Sequence, residues 1–237
     1  MEDLEAPLVP GSPKRRLRQV QTRAEETRER LVAAAVQLFA ERGFDGVTLR
    51  DIAAAAERPF SAITYHFASK EELWRRAATE IHQTIEDHFS RRIAGLEGVD
   101  PETCARLVIK DYILYCARNP QMFRFMVHLG FAASDRLNWY VETFGRPFRR
   151  QFEIMFREIA RQHDIVETEP RYAALVYAVI GGAGLIYALA PEVERATGVD
   201  PSSEAMLDAH VQLMIELFLP RSAIRPIEPP TAPRPRL

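Results

Sequence analysis

The spacing of apolar side chains is the feature that most limits the folds open to this chain. From residue 22 to residue 219, apolar residues recur at intervals of three and four. No stretch between turn signals shows the sustained alternation of apolar and polar residues that a half-buried β-strand requires. Glycine and proline positions divide the region into about nine segments of helical length. The sequence therefore predicts an all-α fold of about nine helices.

Both ends of the chain lack this spacing. Residues 1–21 contain three prolines and a basic run that includes Arg16 and Arg18, and we interpret them as a disordered basic arm. Such an arm either enters a minor groove, adds general attraction to phosphate, or remains a solvated tail. Residues 220–237 are rich in proline and poor in apolar side chains, which predicts a disordered tail.

The sequence contains no recognisable motif of a catalytic or metal centre. It has no G-x-S-x-G, no H-E-x-x-H, no phosphate-binding loop and no carboxylate–histidine cluster at ligand spacing. Cys104 and Cys116 are separated by roughly 18 Å if they share one helix, so they cannot pair within it. With no cleavable apolar segment at its start, the chain suits a reducing compartment. We therefore expect a cytoplasmic protein that is not an enzyme and has no cofactor or bound metal.

The longest apolar run, residues 173–190, reaches the lower length limit for a membrane span. Ala174, Ala178 and Gly182 recur in it at every fourth position, and such small residues allow another helix to approach closely. The neighbouring segments are amphipathic. We therefore predict a buried helix of a soluble dimer and no association with a membrane.

Residues 48–67 have the pattern of two short helices joined by a tight turn. Thr48 is suited to cap the first helix, and Pro59 is suited to begin the second. Ile63 and Phe67, four residues apart, are predicted to anchor the second helix on the core. Two such helices match the geometry by which a recognition helix enters a major groove, although an ordinary three-helix cap has the same spacing. The exposed side of the second helix then presents Phe60, Ser61, Ala62 and Thr64.

Four short segments between residues 27 and 74 are more specific than this spacing. They are the pair Leu38 and Phe39, the pair Gly43 and Phe44, the run 48–53 and the ending 65–70. Together they closely resemble the N-terminal domain of the TetR family of bacterial transcription regulators. The resemblance implies a DNA-binding transcription regulator.

The resemblance also implies a division into two folded domains. Residues 22–68 would form the helix-turn-helix domain and residues 69–219 a larger helical domain for ligand binding and dimerisation, with a helix at 69–92 joining them. The last two long helices would pair with their twins in a homodimer. Two copies are needed because recognition helices must lie roughly 34 to 36 Å apart to read a palindromic operator in double-stranded DNA. The candidate dimerisation residues are Ala174, Ala178, Gly182, Met206, His210, Met214 and Leu217.

The same resemblance assigns candidate DNA contacts by position. Thr48 and Arg50 would lie at the start of the first groove-crossing helix, with Arg50 reaching either a phosphate or a guanine edge. Phe60, Ser61 and Ala62 fall where such proteins read base edges. Phe60 is suited to pack on a thymine methyl group, and Ser61 to donate to a base edge or a phosphate.

Four further residues are candidates for contacts with the DNA backbone: Thr64, Tyr65, His66 and Lys70. Thr64 stands where the family most often has tyrosine, so its shorter side chain weakens the expected contact. His66 and Lys70 match phosphate-contact positions, and Lys70 lies near a helix N-terminus, which itself favours anions. Tyr65 is either a phosphate contact or a core residue, and His66 is either a phosphate contact or a structural histidine.

The C-terminal half is rich in aromatic residues and methionine, and most of them are expected to form the core. A helical domain of this composition can also enclose an apolar pocket with a few polar groups. The resemblance implies a repressor, since that is the family's usual role, and the composition of this half predicts that a small, largely apolar effector releases it from its operator. The alternative is a helical small-molecule-binding or protein-interaction module that has kept the fold without specific operator binding. The candidate ligand-binding residues are Phe123, Met126, Trp139 and Tyr177.

Overall fold

The computed structural model describes residues 13–131 and 133–220, and every regular element within them is helical. The predicted all-α class is confirmed. The elements in chain order are α1 (Pro13–Arg42), α2 (Leu49–Ala55), α3 (Phe60–His66), α4 (Lys70–Ala94), α5 (Pro101–Arg118), α6 (Pro120–Gly130), α7 (Asp135–Tyr140), a π-helix (Val141–Gly145), α8 (Arg146–Gln151), α9 (Glu153–Gln162), α10 (Pro170–Ala188), α11 (Ala190–Thr197) and α12 (Glu204–Phe218).

The described part contains more helices than the predicted nine. The region after α6 is divided by the π-helix and by Phe152, and α11 follows α10 almost without a gap. Neither Tyr140, at the start of the π-helix, nor Phe152 is a helix-breaking residue. These divisions were therefore not visible as turn signals in the sequence.

Helix α1 begins at Pro13 and continues through Thr22. The predicted boundary between a disordered arm and the first helix at residue 21 is therefore wrong for residues 13–21. Proline is suited to the first turn of a helix, and a helix already formed by its packed part extends at little cost through arginine, leucine and glutamine. The side chains of Arg16 and Arg18 lie outside the described part of the chain, as do residues 1–12 and 221–237 of the predicted arm and tail.

The helices form two compact units that are not contiguous in sequence. The first unit contains α1 to α4, α6 to α8 and the π-helix, and the second unit contains α5 and α9 to α12. The predicted division at residue 68, with one domain over 69–219, differs from this arrangement. Chain order suggested one C-terminal domain, but tertiary packing places α6 to α8 with the N-terminal helices.

Aromatic rings hold the first unit together around α1. This helix packs against α4 and α6. The Phe39 ring stacks on Phe44 with centroids 5.9 Å apart, and Trp74 of α4 stacks on Phe125 of α6 at 5.5 Å. The α1 C-terminus is followed by Gly43, whose φ of 68° is the left-handed conformation that ends helices and favours glycine. The packing fixes the end of α1 from which the loop to α2 departs.

The turn between α2 and α3 contains a residue in the left-handed region. Glu57 has a φ of 53°, and a side chain in this conformation costs roughly 1 kcal/mol. We expect Glu57→Gly to raise the free energy of unfolding by about 0.5 kcal/mol, because relief of this strain exceeds the added entropy of the unfolded chain. Urea unfolding measures the change. Glu57→Ala, which removes the side chain but keeps the strain, should not be more stable than the parent, and equal stability of both variants would contradict the prediction.

The second unit is built around α5, which packs against α9, α10 and α12. Ile109 and Ile113 of α5 have no exposed surface, and Cys104 and Cys116 are buried, unpaired thiols. Within the described residues, α10 is the one helix long and apolar enough to cross a membrane by length and composition. Part of α10 is buried within the protein, and its buried residues include Leu175, Val176, Val179 and Ala183.

Candidate nucleic-acid interface

Helix α2 begins with a complete capping box. The Thr48 hydroxyl accepts a hydrogen bond from the Asp51 backbone N–H at 3.2 Å, and the Thr48 N–H donates to Asp51 Oδ2 at 2.8 Å. The Thr48 hydroxyl also donates to Asp51 Oδ2 at 2.7 Å. These bonds from Thr48 lower the pKa of the Asp51 carboxyl group, which keeps it ionised. The hydrogen of the Thr48 hydroxyl is therefore engaged within the cap, and the side chain sets the start of α2.

Helix α3 is anchored on one side and exposed on the other. Ile63 is fully buried and Phe67 is 4% exposed, as the sequence predicted. On the opposite side Tyr65 is 79% exposed and Phe60 45% exposed. Ser61 and Thr64 are also exposed, and Ala62 is half-buried. The alternative that Tyr65 is a core residue is therefore wrong.

Two predicted contacts are engaged in internal interactions. The Thr64 hydroxyl donates to the backbone carbonyl of Ser61 at 3.1 Å, so its hydrogen is used within α3. The His66 ring is half-buried and lies 4.9 Å, centroid to centroid, from the Tyr65 ring. The His66 ring therefore supports the exposed Tyr65 side chain.

Arg50 and Phe60 bring α2 and α3 together on the exposed side. Arg50 is exposed, and its guanidinium carbon lies 6.0 Å from the centre of the Phe60 ring. A guanidinium near a ring at this distance is weakly attracted to it. The arrangement places a permanent positive charge beside the first residue of α3.

Lys70 lies against the ring of Phe44. Its Nζ is 4.2 Å from the ring centre, and the guanidinium carbon of Arg136 is 3.8 Å from the same centre. Partial burial lowers the pKa of Lys70. Ser69 caps α4 by accepting from the Glu72 N–H at 3.0 Å, which confirms the helix start predicted there. Lys70 therefore stands at a helix N-terminus, but its ammonium group is partly committed to packing.

Helices α10 and α12 expose apolar residues on a surface we call the α10–α12 face. It consists of Ala174, Tyr177, Ala178, Gly182 and Leu185 of α10 and Leu213 and Leu217 of α12. All seven are exposed, and Tyr177, Leu213 and Leu217 each expose more than half of their surface. An apolar strip on two neighbouring helices favours association with another apolar surface.

Three predicted dimerisation residues do not belong to this face. His210 and Met214 are buried, and Met206 is half-buried. The His210 ring shares a 2.8 Å hydrogen bond between its Nδ1 and the Tyr187 hydroxyl, and burial lowers its pKa. Met214 packs so close to Gly182 that an added Cβ there would lie 2.9 Å from its terminal methyl. Of these, His210 and Met214 turn inward toward Tyr187 and Gly182 of α10, so their side chains are not free to meet a second copy.

The predicted ligand-binding residues are divided between the two units. Tyr177 is on the exposed α10–α12 face in the second unit, whereas Phe123 is buried in α6 of the first unit. Met126 is half-buried in α6. Trp139 lies within an aromatic cluster, 5.8 Å from the Trp74 ring and 5.4 Å from the Phe144 ring. The composition that suggested a pocket is largely used for core packing.

The first unit instead contains a cleft that sequence reasoning missed. It has a volume of about 210 Å³ and lies between α4, the π-helix and α8; we call it the α4–α8 cleft. Its polar groups include His82, Glu86 and Ser90, which recur at every fourth position of α4. That spacing places them on one side of a helix and was the signal available in the sequence. None of the four predicted ligand residues lines this cleft.

No metal centre was predicted, and the described residues 13–131 and 133–220 contain no group of three histidine, cysteine, aspartate or glutamate side chains placed to hold a metal ion.

Two short helices with a capped start, a tight turn and an exposed second helix have the arrangement of a helix-turn-helix, the motif of a class of DNA-binding proteins. Residues 31–77 match the family described as bacterial regulatory proteins, tetR family. This match covers most of the residues whose motifs resemble the same family.

Two curated relatives each match about two fifths of the chain. The chain is 36% identical over 93 residues to the HTH-type transcriptional regulator TtgR of Pseudomonas putida, a match covering 39% of this chain and 44% of TtgR. It is 35% identical over 98 residues to the HTH-type transcriptional dual regulator CecR of Shigella flexneri, covering 41% of this chain and 44% of CecR. The chain thus matches less than half the length of these relatives.

Solved structures extend the likeness of fold to most of the chain. AibR in complex with isovaleryl coenzyme A and operator DNA has a TM-score of 0.60 at 16% identity, covering 82% of this chain and 98% of AibR. The regulator FadR from Bacillus subtilis in complex with stearoyl-CoA has a TM-score of 0.55 at 16% identity, covering 79% of this chain and 97% of FadR. At these identities the likeness establishes the fold.

Proposed function

We propose that this protein is a cytoplasmic transcription regulator that binds a palindromic operator as a homodimer and is released from it by a small effector. The observation that supports this proposal best is α3: Ile63 and Phe67 hold it to the core while Phe60, Ser61 and Tyr65 stand in solvent. Large aromatic side chains are not left exposed on a short helix without cost, and a DNA groove would cover them.

The exposed side of α2 and α3 offers both kinds of contact that operator binding needs. Arg50 supplies a fixed positive charge for a phosphate or a guanine, and the Tyr65 hydroxyl supplies a neutral donor for a phosphate. Phe60 and Ser61 present an apolar and a polar group at the start of α3, where base edges are read. Lys70 and the N–H groups at the start of α4 add a weaker anion-binding position.

The α10–α12 face is our candidate for the dimer interface. A face that is repeated on each copy can pair with itself around a two-fold axis, which is the commonest arrangement of homodimers. Its small residues, Ala174, Ala178 and Gly182, allow a partner helix to come close, and Leu213 and Leu217 supply apolar area. Buried Met214 and His210 support the face from beneath.

We further propose that the protein is a repressor and that effector binding weakens its hold on the operator. The relatives TtgR and CecR are named as transcriptional regulators, and AibR is described with both a small molecule and operator DNA. An effector acts only by binding one conformation better than the other, with typical couplings of about 1–3 kcal/mol. Only three residues separate the end of α3 from the start of α4. Helix α4 also carries the polar side of the α4–α8 cleft, so a movement of α4 caused by a ligand there would be transmitted to α3.

Replacing Arg50 tests the operator contact. We expect Arg50→Ala to weaken binding to the DNA upstream of the protein's own gene by about tenfold to hundredfold. If Arg50 contacts a phosphate, the loss is uniform across sequences and the slope of log K against log salt falls by about 1; if it reads a guanine, discrimination at one base pair is relaxed. Gel-shift titrations at several salt concentrations measure both effects.

The matched control is Lys110→Ala, which removes one positive charge from the exposed side of α5 in the second unit. This variant should keep the affinity of the parent protein. Equal affinities for the parent and the Arg50 variant would exclude the proposed contact. If the parent itself shows no specific retardation, the chain is instead a helical binding module without an operator.

A further inference from the structure

The α4–α8 cleft carries a single uncompensated charge. Glu86 is exposed at its open side, and within residues 13–131 and 133–220 its carboxylate forms no ion pair. The other titratable side chain of the cleft, His82, is buried, and desolvation lowers its pKa to about 4, so the ring is neutral at pH 7. Glu86 is therefore the one charged side chain among the residues that line the cleft, and Arg146, Arg149 and Arg150 of α8 flank its lining residues in sequence.

Aromatic rings form the wall beside this charge. The Phe144 ring stacks on the His82 ring with centroids 4.3 Å apart and planes inclined by 3°, and Phe148 meets His82 edge-on at 6.5 Å. Ile85 and Pro147 complete the apolar part of the wall. A ring face attracts a cation through its quadrupole.

Three other polar side chains of the cleft, His82, Ser90 and Gln151, are engaged in hydrogen bonds, and Thr143 adds a neutral hydroxyl to the lining. His82 Nε2 and the Tyr140 hydroxyl are 2.6 Å apart, and Gln151 Nε2 donates to the Ser90 hydroxyl at 3.0 Å. These bonds join α4 to α7 and α8 and keep the walls in place. The Glu86 carboxylate is therefore the charged group available to bind a ligand.

The size of the cleft limits that ligand. A cavity of about 150 Å³ accommodates benzene, and drug-sized ligands occupy pockets of roughly 300–1,000 Å³. At about 210 Å³ the cleft accommodates one ring and a short chain. The neighbouring π-helix, which supplies Phe144, is a local departure from α-helical geometry of the kind often found at functional sites.

We propose that the α4–α8 cleft binds a one-ring organic cation, such as an arylalkyl ammonium ion, with Glu86 as counter-ion and Phe144 and Phe148 as the aromatic wall. Its role as the effector site rests on the proposed function. In that role the ligand separates α8 from α4, and the displacement of α4 changes the position of α3.

Tryptophan fluorescence provides a direct test, because the Trp139 ring lies 5.4 Å from the Phe144 ring and the chain has two tryptophans. The full-length protein is titrated with phenethylammonium, 2-phenylethanol and 3-phenylpropanoate, which share a ring and differ in charge. We expect phenethylammonium to bind at least about tenfold more tightly than the alcohol, and the carboxylate to show no saturable binding.

Glu86→Gln should abolish this preference for the cation, so that the ammonium and the alcohol bind alike. The matched control is Asp87→Asn, which removes a negative charge from the next residue of α4, outside the cleft, and should leave the preference unchanged. Both residues are exposed, so circular dichroism should show parent-like folding. Equal affinities for all three probes, or a cation preference that survives Glu86→Gln, would overturn the proposed site.

Operator affinity is measured separately with and without phenethylammonium. Glu86-dependent binding that leaves operator affinity unchanged supports the cleft as a cation site and excludes its role as effector site. Specific operator binding by a protein that shows no preference for the cation supports the regulator and excludes the cleft. If the cation weakens operator binding by the parent protein but not by the Glu86→Gln variant, the result supports both the cation site and its role as the effector site.

Discussion

Replacing both Leu213 and Leu217 with glutamate is expected to make the protein monomeric and to lower its operator affinity by at least about a hundredfold. Both side chains expose more than half of their surface on the α10–α12 face. In a symmetric dimer the change places four carboxylates in one interface, and each buried, unpaired charge costs several kcal/mol. A monomer then binds one half-site at a time and loses the gain from simultaneous contact with two. Sedimentation equilibrium and operator titration measure the two effects.

The control must add the same charges elsewhere in the second unit. Ile154 and Val166 are 51% and 58% exposed and lie outside the α10–α12 face, so the double change Ile154→Glu and Val166→Glu is matched in number and chemistry. It should leave the dimer and its operator affinity intact. A Leu213 and Leu217 variant that remains dimeric at micromolar concentration would show that the interface lies on another surface.

The second large effect is expected from Gly46, in the loop between α1 and α2. A Cβ added there would lie 2.4 Å from the backbone carbonyl oxygen of Arg42 and 3.1 Å from the Arg42 Cβ. The carbonyl belongs to the last turn of α1 and cannot swing aside as a side chain can. We therefore expect Gly46→Ala to lower the free energy of unfolding by roughly 2 to 4 kcal/mol and to displace α2.

Urea unfolding and operator titration check this prediction together. Gly130→Ala is the matched control, since it adds the same methyl group to the first unit at a glycine with no atom within 4 Å of the added Cβ. Its stability should stay within about 0.5 kcal/mol of the parent. If Gly46→Ala is equally well tolerated, the loop has more freedom than the close approach to Arg42 indicates.

Local pattern was enough to predict several features of the DNA-binding part. Ile63 and Phe67 were placed on the buried side of α3 because residues four apart share a helix face, and the structure confirms both. The start of α2 was predicted from Thr48, whose side chain caps the helix by a short-range hydrogen bond. These interactions span three or four residues, so the sequence contains all of the information that they require.

Whether a side chain at the border between the buried and exposed sides of a helix points inward or outward was less predictable. Met214 and Leu217 both suited a dimer interface by spacing, yet Met214 is buried against Gly182 and Leu217 is exposed. Tyr177 suited a pocket by composition and stands in solvent. Each outcome depends on which neighbouring helix packs there, and amphipathic spacing does not identify the neighbour.

The sequence by itself determined the helical class, the helix-turn-helix and its anchors, because helical periodicity and capping are local physical effects. Only the tertiary structure decided that α6 to α8 pack with the N-terminal helices, and that His82, Glu86 and Phe144 meet in one cleft. Phe144 is 58 residues from Glu86, and no periodicity links positions so far apart. Their proximity results from apolar burial between whole helices, which depends on the shape of every partner at once.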